Sequence, residues 1–396
     1  MRCFSLQNAA MSRLLVLFAL VNLVIGTGAF VVAGILQKIA DTLAVSVPAA
    51  GQAMTTYALA TALLVPIALV LSGRLSRKRA MQLALAIFTL GNVICALATS
   101  LPELLLGRTV MGIGAMFTPL AAGLVVAMVE PARQGKALAL VFLGVSLAYV
   151  VGLPLGAWLG FKYDWHVPIM VVAVAALVAL IAVTIFVPAD MKGPSASFAG
   201  LGHVARMPQV RWTLAFTFLY FAAIFCVFSY IGPVQHALNP MSAEQLSITL
   251  AIFGLSGVVG TLIGGWSNDH FGAQPTLRVQ ITLLIATMIA LPFTQGVYAL
   301  TLMVFVVWGT AGFGMMAPQQ SRLAIASPQN APLLMSLNAS MLYLGTAMGT
   351  ALGGVFVGAV SDGGNIIFER LSWVGLPFAA AAGLTLLMAR PTVRAG

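Results

Sequence analysis

Long apolar runs separated by short polar clusters fill almost the whole chain. Crossing roughly 30 Å of hydrocarbon takes about 20 apolar residues in a helix. Twelve stretches reach that length: 14–37, 51–72, 81–100, 104–128, 137–160, 167–187, 212–234, 245–267, 277–294, 297–317, 333–360 and 372–389. Backbone groups in lipid must be paired within their own segment, and these runs are too long and too evenly apolar for the alternation of barrel strands. The pattern therefore predicts an all-α integral membrane protein of twelve transmembrane helices, with no room for a soluble catalytic domain. The longest polar stretch is Pro188 to Arg211, where Gly193, Pro194, Ser195, Ser197, Gly200 and Gly202 supply turn and linker residues. It divides the chain into an N-terminal six-helix bundle (1–190), a cytoplasmic linker (191–211) and a C-terminal six-helix bundle (212–396).

Composition agrees. The chain is 61% hydrophobic and 7% charged, whereas soluble domains carry about 25% charged residues. Cationic loops resist translocation. With the N-terminus inside, fifteen of the nineteen Lys and Arg residues fall on the cytoplasmic side, leaving Lys38, Lys162 and Arg370 outside and Arg108 within a span. Both termini are thus expected in the cytoplasm of a cell inner membrane. This sorting explains the net charge of +10. Binding of nucleic acid is not expected, because it needs a folded basic surface and these cations are scattered through short loops. Cys3, Cys95 and Cys226 form no disulfide or metal pattern and read as small hydrophobes. The first span, over twenty residues long and without a small-residue cleavage site, reads as a retained helix and not a cleaved leader.

None of the nine acidic residues falls in a span, so Arg108 is the one buried ion. Its guanidinium cannot deprotonate and must find carbonyls, polar side chains, water or an anionic ligand. Two readings stay open: a snorkel toward the outer interface, or a role in substrate contact or coupling. The halves also carry a weak repeat: Gly112, Gly114 and Met116 return as Gly312, Gly314 and Met316, which sets Trp308 opposite Arg108. Duplicated halves with a site at their interface are how many secondary transporters are built. Candidate cavity residues are the polar groups within spans: Asn22, Thr27, Thr55, Tyr57, Ser146, Tyr149, Tyr220, Tyr230, Ser256, Asn338 and Tyr343. The competing role for each is an interhelical hydrogen bond. Gln319 and Gln320 read as gate or interface residues.

Five motifs carry a family resemblance. Leu104-x-x-x-Arg108-x-x-Met111-Gly112-x-Gly114-Ala115 resembles the fourth-helix motif of the major facilitator superfamily. Gly144 to Gly160, with Tyr149, Gly152, Pro154, Gly156 and Trp158, is similar to the fifth-helix signature of its drug:proton antiporter branch. Gly26-Thr27, the run Val45 to Gly51 and Asp164-Trp165 resemble the arabinose or sugar efflux subgroup. The resemblance implies a monomeric carrier in the lipid bilayer, working by alternating access and exporting a drug-like or sugar-like small molecule against protons. It implies neither cofactor nor metal. Gly152, Gly156 and Gly160, with the kink expected at Pro154, suit either two bundles rocking against each other or plain close packing.

Departures qualify the resemblance. The loop after the second helix runs Gly73-Arg-Leu-Ser-Arg77-Lys-Arg, with Arg77 where the family has an aspartate. Its second-half counterpart, Gly265-Trp-Ser-Asn-Asp269-His-Phe-Gly272, keeps the acid and the final glycine, and Asp269 is expected to cap a helix N-terminus and serve gating. The first helix lacks the glutamate that efflux relatives place after Gly-Thr. Proton coupling would then run through polar groups near Arg108, through Asp41 or Glu103, or be absent; the alternative function is export or uniport of anionic metabolites on Arg108. Enzyme chemistry is not expected: His166, His203, His236 and His270 lie in loops or at span ends, and there is no phosphate-binding Gly-x-x-x-x-Gly-Lys-Ser/Thr run.

Overall fold

The computed structural model describes residues 2–189, 206–327, 331–359, 361–362, 365–366 and 368–388. Twelve helices are long and apolar enough to cross a membrane: α1 (Met11–Thr42), α2 (Val47–Arg74), α3 (Arg77–Leu97), α4 (Leu101–Met128), α5 (Ala137–Lys162), α6 (His166–Phe186), α7 (Pro208–Phe228), α8 (Ala243–Phe271), α9 (Ala273–Thr294), α10 (Tyr298–Ala326), α11 (Leu333–Ala359) and α12 (Phe368–Met388). A short helix, Ile231–Leu238, extends α7. Most of the 191–211 linker lies outside the described residues, and α7 already begins at Pro208, inside that stretch.

The polar clusters between spans act as helix starts. Ser46 accepts the Ala49 N–H ahead of α2, and Ser76 accepts the Arg79 N–H ahead of α3. Ser100 with Glu103 and Ser242 with Gln245 form capping boxes at α4 and α8. Each satisfies N–H groups that a helix start leaves without partners. Prolines then break three helices in mid-membrane. Pro119 has no N–H for the Ala115 carbonyl, which takes that of Thr118 instead, and α4 tightens at Gly114–Met116. The same break recurs in α10 between Gly314 and Met316, just ahead of Pro318. In α5, Pro154 follows a π-helical turn, Ala148–Gly152, in which the Leu153 N–H reaches back to the Ala148 carbonyl.

Packing divides the helices into two sets of six. α1 packs on α2, α5 and α6, and α3 on α4 and α6; in the second set α7 packs on α11 and α12, α8 on α10, and α9 on α10 and α12. The sets meet through α2 against α11, α5 against α8, and α1 against the α7 extension. The repeat seen in the sequence extends to hydrogen bonding. Asn22 in α1 donates to the Val141 carbonyl of α5 at 3.1 Å and accepts from Thr118 of α4 at 2.6 Å. In the second set Thr217 of α7 donates to Asn338 of α11 at 2.6 Å and accepts from Gln319 of α10 at 2.7 Å.

Two expectations are corrected here. The glycine stripe of α5 faces α1 inside the first set and is not the rocking surface: Cβ atoms at Gly144, Gly152, Gly156 and Gly160 would meet Ala19, Thr27, Val31 and Ile35 at 1.8, 2.0, 2.2 and 2.5 Å. Four-residue steps on both helices make the ladder, so Gly152, Gly156 and the Pro154 turn serve close intra-bundle packing. The α5–α8 seam between the sets instead seats Gly254 on the backbone of Tyr149 and Val150. Asp269 caps no N-terminus among the described residues: it is exposed in the last turn of α8, where it accepts from Asn268. A carboxylate there opposes the helix dipole and does not complement it. Gly272, which follows with φ of 86°, closes α8 in a conformation that favours glycine.

Candidate functional site

The two sets of helices meet around an aromatic cluster. Phe30 of α1 stacks on Tyr149 of α5 at 4.5 Å between ring centroids, and Tyr149 meets Phe313 of α10 edge-on at 4.6 Å. Phe228 of α7 touches Phe30, Tyr149 and Phe253 of α8, and Phe253 continues to Trp308 at 5.3 Å. Tyr57 of α2 meets Tyr343 of α11 edge-on at 6.3 Å. Seven helices from both sets thus present ring faces and edges to one another, an arrangement that favours flat apolar groups. Phe313 and Tyr343 are only partly buried. The Tyr57 hydroxyl is buried beside Thr61 and Tyr343 and has no hydrogen bond of ordinary geometry among the described residues. No carboxylate among the described residues lies in this cluster.

At one end the cluster is sealed. Gly232 lies against the Gly34 and Ala33 carbonyls, with a would-be Cβ 3.2 Å from the nearer oxygen. Tyr230 seats its hydroxyl between Gly51 of α2 and Gly354 of α11 and donates to the Thr350 carbonyl at 3.0 Å. All of these contacts lie toward the end whose loops include 43–46 and 239–242, opposite the arginine-rich junction of α2 and α3 at Gly73–Arg79.

Arg108 sits beside the cluster and is 2% exposed. Nε donates to the Ala53 carbonyl at 2.9 Å, Nη1 to that of Gly28 at 2.7 Å and Nη2 to that of Ala29 at 2.9 Å. The Tyr57 ring lies 4.6 Å from Cζ, and the Met54 and Met111 sulfurs fill the remaining directions. The snorkel reading fails, because the guanidinium is turned inward. The anion reading also loses its ground: every nitrogen is already given to α1 or α2, so Arg108 ties three helices together.

The other candidates divide. Tyr57, Tyr149 and Tyr343 come together at the centre. Asn22 and Asn338 are committed to the interhelical ties described above, Thr27 donates to the Leu23 carbonyl against Gly152, and Tyr220 donates to the Ala311 carbonyl at 2.7 Å within the second set. Tyr230 belongs to the sealed end. Ser146 is half-buried on α5, Gly73 is exposed in the last, tighter turn of α2, and Arg77 is buried at the start of α3. Sequence reasoning singled out none of Phe30, Phe228, Phe253 and Phe313, nor Phe225, whose ring lies 6.2 Å from Phe30 and 5.2 Å from Phe228. Spacings such as Phe221, Phe225 and Phe228, which line one face of α7, mark them in retrospect.

The Major Facilitator Superfamily model matches residues 18–349. The chain is 30% identical to the inner membrane transport protein YdhP of Escherichia coli K12, covering 92% of each. It is 26% identical to a probable sugar efflux transporter of Mannheimia succiniciproducens, covering 85% of each. Among solved structures it resembles a D-xylose–proton symporter with a TM-score of 0.78 at 15% identity, over 96% of this chain and 98% of that one. That last likeness concerns the fold.

Proposed function

The chain belongs to the major facilitator superfamily, and from that premise we propose that it exports a small organic solute, drug-like or sugar-like, by alternating access in antiport with protons. It is a multi-pass membrane transporter and not an enzyme. The observation that carries the proposal is the aromatic cluster shared by both helix sets and sealed toward one end. A centre built at the seam of two bodies is opened to either side by tilting one against the other. Charge sorting supports an outer position for the sealed end, and on that reading this conformation is one that loads from the cytoplasm. The ring faces suit the apolar face of a solute, and the Tyr57, Tyr149 and Tyr343 hydroxyls supply a few hydrogen bonds.

Export of a sugar-like molecule draws on the name of the Mannheimia relative. Proton antiport draws on the resemblance of the fifth helix to the antiporter branch. Saturation of Arg108 by carbonyls weighs against the anionic-metabolite alternative. The test is a solute panel in inside-out vesicles with an imposed pH gradient switched on and off. Gradient-dependent movement of at least one neutral or lipophilic solute is expected. Equal flux with and without the gradient removes antiport, and movement of anions alone, abolished by Arg108→Gln, restores the alternative.

A further inference from the structure

A second buried arginine is not compensated as Arg108 is. Arg322 lies in the last part of α10, four residues from its final residue, and is 8% exposed. Its Nη1 reaches Gln319 Oε1 at 3.4 Å, the Phe216 ring lies 6.0 Å from Cζ, and Nη2 is buried with no partner among the described residues. The polar groups around it are occupied with one another: Gln319 Nε2 donates to the Thr213 carbonyl and the Thr217 hydroxyl, and Thr217 donates to Asn338. None is negative. The one ion pair among the described residues, His166 with Asp164, is elsewhere.

A guanidinium stays charged when buried, and a buried charge without a counter-ion is costly. Its planar fork matches two oxygens of a carboxylate or phosphate better than any other partner. Arg322 occupies the buried side of α10 while Gln320 is exposed, and the ring it meets, Phe216, lies outside the central cluster. It sits near the arginine-rich end, where Arg206 and Arg211 at the start of α7 are exposed and add positive potential.

We propose that Arg322, with Gln319, forms a binding site for a single phosphate-type oxyanion, entered from the arginine-rich end between α7 and α10 and distinct from the aromatic centre. Such a group is offered by soluble phosphate and by the head group of an anionic phospholipid. A bound oxyanion would tie α10 to the start of α7 and so favour the folded state.

The test uses the full chain, purified and delipidated in a neutral maltoside detergent. Its thermal unfolding is followed with added sodium phosphate at constant ionic strength, and separately with short-chain phosphatidic acid against short-chain phosphatidylcholine. A melting temperature that rises and saturates with a probe is expected for the wild type and for the exposed-cation control R211Q. The shift should vanish in R322Q and shrink in R322K, which keeps the charge but loses the fork. A response to phosphate identifies a soluble anion, and a response to phosphatidic acid alone identifies a lipid head group. No shift with either probe in the wild type, or an undiminished shift in both R322Q and R322K, overturns the proposal.

Discussion

At the scale of single residues, buried polar groups separate into those whose bonds are made and those left open. Each Arg108 nitrogen serves a carbonyl, and hydrogen bonds from charged groups contribute about 1.5–3 kcal/mol apiece. Arg108→Lys, which cannot span three carbonyls on two helices, should lower the melting temperature by several degrees; an unchanged midpoint would refute the tie. Tyr57→Phe is the complement. Its hydroxyl has no well-formed hydrogen bond to lose, so stability should hold within about 0.5 kcal/mol, while the KM for a hydrogen-bonding solute should rise. Outside the spans, burial pushes the Asp164 carboxyl up, but the His166 backbone N–H and imidazole, with the charges of His166 and Lys38, outweigh it and hold the carboxyl below its ordinary range. A depressed carboxylate contributes stability above its unfolded value, about 3.9. That contribution should fade as pH drops through the lower folded value, and Asp164→Asn should flatten the acid limb of a melting-temperature profile. The burial of Arg108 was legible from its apolar flanks. Its partners were not, because backbone carbonyls carry no mark in a sequence.

At the scale of helices, close approach decides. A methyl at Gly144 would sit 1.8 Å from the Ala19 carbonyl oxygen, so Gly144→Ala should force α5 off α1 and destabilise the protein by about 1–3 kcal/mol. Gly123 has nothing within 4 Å of a built Cβ, and Gly123→Ala should be neutral or stabilising by up to about 1 kcal/mol. Equal effects of the two substitutions on melting would contradict the ladder. The glycine period of α5 was readable, but its partner helix was not, since a smooth face fits α1 and α8 equally well until tertiary packing chooses. The paired breaks in α4 and α10 show the same limit. Gly112 and Gly312 marked the repeat, whereas the breaks depend on which carbonyl each following proline deprives. Asp269 was misplaced for a similar reason: α8 runs on through Phe271 and carries the acid to its C-terminal turn.

At the scale of the molecule, the number of spans and the all-α class follow from run length alone, because lipid leaves the backbone no other way to pair its polar groups. The functional centre was harder to read. Sequence reasoning sought polar residues, yet the seam is lined mainly by rings, and most buried amides and hydroxyls hold helices within a set. The central claim is that solute passes between the two sets as the sealed end opens. It is tested most directly by Gly51→Cys/Gly354→Cys, whose Cβ atoms would converge on the space of the Tyr230 hydroxyl between α2 and α11, with Tyr230→Ala to make room, in a chain whose Cys3, Cys95 and Cys226 are replaced, reconstituted in proteoliposomes with a pH gradient. Oxidation should cross-link the sealed end and stop solute flux, and reduction should restore it. Undiminished flux through the fully cross-linked protein would contradict the account.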